Sequence, residues 1–126
     1  MLRITKTICV DRNVNDCFSY LADLRKLIEW DENVVSASKR TQGAVAKGSR
    51  FTVGVNLGGV RIPFNYVITE FRPNDRLVMT GRSLLFNVND SIAFTESEHG
   101  VEIAYCIDFY FKFGLSKFFA RRRDAF

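Results

Sequence analysis

Val101-Glu102-Ile103-Ala104-Tyr105-Cys106-Ile107-Asp108-Phe109-Tyr110-Phe111-Lys112-Phe113 alternates apolar and other residues without a break. Val101, Ile103, Tyr105, Ile107, Phe109, Phe111 and Phe113 fall on one face; Glu102, Ala104, Cys106, Asp108, Tyr110 and Lys112 fall on the other. Successive side chains of a strand point to opposite faces, so the pattern predicts a long antiparallel strand with one apolar side. At about 3.3 Å per residue it would reach on the order of 40 Å, more than a flat sheet in a small domain requires. A curved sheet is expected.

Working back from this strand, Leu84, Phe86, Val88, Asp90, Ile92 and Phe94 form the apolar row of another, over 84–95, with an acid among its members. A four-residue turn, Glu96-Ser97-Glu98-His99, would set Ile92 opposite Ile103 and Asp90 opposite Tyr105. A loop shorter or longer by two residues would keep the faces and change the partners. Earlier still, Gly58-Gly59 separates 51–57 from 60–71. Both glycines can take the positive φ of a primed hairpin turn. That turn pairs Leu57 with Val60, Val55 with Ile62, Val53 with Phe64 and Phe51 with Tyr66, all on one face. Arg72-Pro73-Asn74-Asp75 reads as a turn into a strand over 77–80, and Gly81-Arg82 as the next turn. A strand over 34–40 and a loop over 43–48 precede this group.

At the N-terminus Leu2, Ile4, Ile8 and Val10 alternate with Arg3, Thr5, Thr7 and Cys9, and Lys6 is the one polar residue on the apolar side. The period then changes. Val14, Cys17, Phe18 and Leu21 recur at helical spacing behind Asn13, a fitting N-cap. Asp23 can cap a second short helix carrying Leu24, Leu27 and Ile28 and ending near Trp30. After Gly114, Leu115, Phe118, Phe119 and Arg122 repeat as on a final amphipathic helix, with Arg121, Arg122 and Arg123 where the helix dipole favours positive charge. The expected fold class is therefore α+β: a curved antiparallel sheet of about seven strands, two short helices after the first strand and a C-terminal helix, in one domain over 1–126.

Composition narrows the function. The 126 residues are 47% hydrophobic, with 12 Phe and one Trp, enough for a sizeable core or a lined pocket. The net charge of +4 is spread along the chain apart from the three consecutive arginines, so a nucleic-acid partner is not expected. Cys9, Cys17 and Cys106 are odd in number and form no CxxC, which argues against a disulfide framework and for reduced, cytoplasmic surroundings. No apolar run approaches the ~20 residues of a membrane span, so stable membrane insertion is not expected. His99 is the only histidine and lies in a polar turn, so a His-dependent base or metal cluster is not expected. No nucleotide-binding glycine loop is present, and no cofactor is expected.

The run from Val10-Asp11-Arg12-Asn13-Val14 through Phe18-Ser19-Tyr20-Leu21-Ala22-Asp23, then Trp30 and Gly48-Ser49-Arg50-Phe51, resembles the opening of the START-like superfamily, in particular its polyketide cyclase/dehydrase and lipid-transport branch. Ile68-Thr69-Glu70-Phe71-Arg72-Pro73-Asn74-Asp75-Arg76-Leu77 and Asp90-Ser91-Ile92-Ala93-Phe94 are similar to that branch in position and character. The resemblance covers almost the whole chain and implies a helix-grip fold with an apolar cavity between a curved sheet and a C-terminal helix. The helix available here spans only about 18 Å at 1.5 Å per residue, shorter than the family's usual one.

Asp90 is the strongest single candidate for chemistry. A carboxylate in an apolar row is costly unless hydrogen-bonded, protonated or wet. Either it is a polar anchor inside a pocket, with Tyr105 and Tyr66 beside it, or the strand bulges and it reaches solvent. Residues expected to line the ligand site are Trp30, Phe51, Val53, Phe64, Tyr66, Phe86, Val88, Asp90, Tyr105, Ile107, Phe109 and Phe118. Trp30 reads first as core between the short helices and the sheet. The expected function is binding or carriage of a small hydrophobic or amphipathic ligand. The alternatives are a cyclase, dehydratase or isomerase using Asp90 with Tyr105 or Tyr66, and a protein-interaction module with an apolar groove. A homodimer is among the expected states.

Overall fold

A computed structural model describes residues 1–112. Element order is β1 (Leu2–Val10), α1 (Val14–Ala22), a 3-10 turn (Leu24–Lys26) running into α2 (Leu27–Trp30), then β2 (Val34–Lys39), β3 (Arg50–Leu57), β4 (Val60–Arg72), β5 (Arg76–Arg82), β6 (Phe86–Ser97) and β7 (Gly100–Phe111). Among the described residues these strands form one seven-stranded antiparallel sheet in the order β1-β7-β6-β5-β4-β3-β2. The helix expected over 115–126, with Phe118 and the three arginines, lies outside the described residues.

Local chemistry accounts for the elements. Asn13 caps α1, its side chain accepting from the Asp16 N–H at 2.9 Å, and Asp23 caps the 3-10 turn by accepting from Arg25 N–H at 3.1 Å. Gly58 and Gly59 take φ of 60° and 86°, and the β3–β4 register pairs Phe51 with Tyr66 and Val53 with Phe64 as the turn chemistry requires. Extra residues at Val35 in β2 and Thr69 in β4 interrupt the ladders; such bulges bend a sheet.

Two expectations need correction. Gly81 and Arg82 do not turn the chain; both belong to β5, and Gly81 sits between Tyr66 and Val88. A Cβ on Gly81 would lie 2.7 Å from the Tyr66 ring and 2.9 Å from Val88, so the glycine is there to admit the tyrosine, not to bend the backbone. The β6–β7 connection is a two-residue turn, Glu98-His99, because Gly100 already pairs with Ser97. Gly100 has φ 133° and lies against the Val10 carbonyl, where any Cβ would collide. The register accordingly moves by two: Ile92 faces Tyr105, and Asp90 faces Ile107.

The core forms on the inner face of the sheet. Val14, Cys17, Phe18 and Ala22 of α1 and Leu24 of the 3-10 turn pack against Phe51, Val53, Ile68, Leu77, Ile92, Phe94 and Val101. Phe18 meets Phe71 and Phe94 edge to face, with centroids 5.1 and 5.2 Å apart. A second cluster gathers Ile62, Phe64, Phe86 and Val88, in which the Phe86 ring packs on those of Phe64, Phe109 and Phe111.

Candidate functional site

The first two strands of the sheet order, β1 and β7, pair along their full inner rows: Ile4 with Ile107, Lys6 with Tyr105, Ile8 with Ile103. All six of these residues line a cleft of about 870 Å³, together with Val10. The opposite wall comes from the helical segment, with Arg12, Asp16, Cys17, Tyr20, Leu21, Trp30 and Asp31. Ile4 and Ile8 remain 41% and 42% exposed, unlike the fully packed residues of the central strands. A volume within the usual range for small-molecule sites, apolar walls and a few convergent polar groups are the attributes of a ligand pocket.

α1 and α2 are held together across the cleft's outer rim, where the Tyr20 hydroxyl donates to Glu29 at 3.1 Å. Trp30 does not fill the core as its size suggested; it is 45% exposed and presents its ring to the cleft. Tyr105 projects from the sheet side, and its hydroxyl donates to Asp90 Oδ2 at 3.3 Å. The register correction thus leaves Tyr105 diagonal to Asp90 and still within reach, as long side chains one rung apart can be.

Asp90 is 7% exposed, and its Oδ1 has no hydrogen-bond partner among the described residues. Burial pushes its carboxyl up to about 7, against the lowering effect of the Tyr105 hydrogen bond, and the charge of Asp31 adds to the rise. Burial likewise holds the Tyr105 and Tyr66 phenols well above their ordinary range, reinforced by the negative charge of Asp90 and Asp31. Asp31 itself closes α2 and accepts from the Asn33 N–H at 3.0 Å. The arrangement places a buried carboxyl, pushed up to about 7, one hydroxyl away from the cleft wall.

The residues expected at the site separate into three groups. Trp30, Tyr105 and Ile107 are on the cleft wall. Phe51 and Val53 are buried in the main core, Phe64, Phe86 and Val88 in the second cluster, with Tyr66 and Phe109 packed against these and Asp90 buried behind Tyr105. Phe118 lies outside the described residues. Sequence reading missed Ile4, Ile8, Ile103, Tyr20 and Asp31 as lining residues. The first three were legible as inward-facing; nothing in their spacing says that the space before them stays open. Cys9, Cys17 and Cys106 are free. Among the described residues no cluster of His, Cys, Asp and Glu could hold a metal ion, and no helix is long and apolar enough to cross a membrane.

The fold recurs in known structures. A START superfamily protein from Mycobacterium smegmatis superimposes with a TM-score of 0.77 at 11% identity, over 89% of this chain and 79% of that one. The Zhui aromatase/cyclase from Streptomyces sp. R1128 does so at 0.74 and 10% identity, over 88% and 68%. The di-domain aromatase/cyclase StfQ of the steffimycin biosynthetic pathway matches at 0.73 and 18%, over 90% of this chain and 38% of that one. Such low identities speak for the fold alone, and no protein of curated function is similar in sequence. Across residues 1–125, however, the sequence matches the model of one family. This protein therefore belongs to the polyketide cyclase / dehydrase and lipid transport family.

Proposed function

We propose that the protein binds a small hydrophobic or amphipathic molecule in the cleft between the β1–β7 wall and the α1–α2 segment. The observation that carries this reading is the cleft itself: about 870 Å³ faced by Ile4, Ile8, Ile103, Ile107, Leu21 and Trp30. Family membership supports it at the level of ligand class. Trp30 is the chain's one Trp, so its emission reports directly on occupancy. Titration with dodecanol is expected to change that emission saturably with one molecule bound per chain, and Ile107→Asp to weaken binding. Absence of saturable binding in the folded parent protein would overturn the reading. Native mass spectrometry of protein purified from its source would then name the natural ligand.

A second reading, catalysis of a cyclase, dehydratase or isomerase kind, is favoured by one observation: the Asp90 carboxyl near neutrality is hydrogen-bonded to a hydroxyl on the cleft wall. As the α-proton passes to solvent water, Tyr105 would give its proton to the developing enolate oxygen and be reprotonated by Asp90, which regains a proton from that water. Deuterium exchange next to the carbonyl of a bound β-diketone tests this. Its acceleration over the protein-free rate is expected to be lost in both Tyr105→Phe and Asp90→Asn; exchange at the parent rate in those variants would exclude the role.

A further inference from the structure

The β1–β7 wall is a ladder of three rungs in which isoleucine pairs flank a single polar one: Ile4 with Ile107, Lys6 with Tyr105, Ile8 with Ile103. Every member of the ladder lines the cleft. Among the described residues the Lys6 ammonium group takes part in no hydrogen bond and no ion pair, unlike the guanidinium of Arg3 on the other face of β1, which clamps Asp108 at 2.7 and 3.0 Å. An ammonium group offers donors only, and a phenol offers one more. Two donors side by side in an apolar wall suit a ligand oxyanion.

We propose that the ligand is an amphipathic anion, an alkyl or polycyclic body with a carboxylate, whose charge is held by Lys6 and Tyr105 while the body lies along the isoleucines. This rests on the cleft being the binding site. The charged groups facing the rung are Arg12, Asp16 and Asp31 on the helical wall and Asp90 behind Tyr105. Tyr105 now donates to Asp90; a protonated Asp90 donates in the reverse sense and frees the phenol proton for the ligand. An ionised Asp90, with Asp31 beside it, repels the anion. Binding is therefore coupled to protonation of Asp90, and affinity for the anion falls as pH rises through the range in which Asp90 ionises.

Dodecanoate, dodecanol and dodecylammonium share one alkyl chain and differ only in head group, and Trp30 emission follows the binding of each. Dodecanoate is expected to bind about tenfold more tightly than dodecanol, as a charge-assisted contact allows, and more tightly at about pH 6 than at about pH 8. Lys6→Met is expected to abolish that preference, read as the ratio of dodecanoate to dodecanol affinity within the same variant, and Lys6→Arg to retain it. Lys6 is exposed on an edge strand, so neither variant threatens folding. Equal affinity for dodecanoate and dodecanol, a preference for dodecylammonium, or a preference that survives Lys6→Met would overturn the inference while leaving the cleft as a binding site. Failure of all the probes to bind would overturn both.

Discussion

The inner face of one sheet meets two fates. Between β3 and β6, Phe51, Val53, Phe64, Phe86 and Val88 are buried, packed under α1 or against one another. At the β1 edge the same alternation leaves Ile4 and Ile8 about two-fifths exposed, facing a cleft. Strand pattern is equally regular in both regions. What differs is the cover: Phe18 and Leu24 press onto the central strands, whereas Tyr20, Leu21 and Trp30 stand across a gap from β1 and β7. Filled space supplies stability and open space supplies a site, and the two are adjacent on one continuous surface.

The contrast is open to direct measurement. The largest effect is expected from Phe18→Ala, which removes the ring contacts with Phe71 and Phe94 and costs about 3–5 kcal/mol in urea denaturation. Next comes pH. Asp90, pushed up to about 7, is favoured in its protonated form by the fold, so its contribution is fully present below about pH 4, declines across about pH 4 to 7 and is gone above. At 1.36 kcal/mol per unit this loss is on the order of 4 kcal/mol, and in Asp90→Asn the slope across that window should vanish. Asp23 and Asp108, held low by hydrogen bonds from Arg25 and Arg3, act in the opposite direction and only in more acid solution. A parent protein whose stability is flat from about pH 4 to 7 would show that Asp90 is solvated.

Smaller still, Gly81→Ala is expected to cost about 1–3 kcal/mol by forcing the Tyr66 ring away, and to perturb the neighbouring Asp90 through it. Ile8→Ala should cost less than about 1 kcal/mol, since much of the side chain is already wet, yet weaken dodecanol binding. Equal costs for Ile8→Ala and Phe18→Ala would erase the distinction between the two regions.

Much of this was readable in the chain. The Gly58-Gly59 turn specified the β3–β4 register because two glycines in succession readily take the positive φ that a tight two-residue hairpin turn needs. Asn13 and Asp23 announced the short helices because their side chains replace missing backbone acceptors. The β6–β7 register was less legible: loops differing by two residues preserve the same faces, and the choice depended on Gly100 meeting Val10 of a strand far away in sequence. Gly81 misled for a related reason, since a glycine making room for a ring looks, in sequence, like a glycine making a turn.

Alternation and turn chemistry are local properties, and they were enough to establish the strands, the two short helices after the first strand, the inward face and the placing of Asp90 among apolar residues. Whether an inward residue fills a core or bounds a cavity depends on how far the opposing layer stands from it, which is a distance between elements distant in the chain. That distance buried Phe51 and Phe64, brought Trp30 out to the cleft, and set Lys6 beside Tyr105 with open space before them.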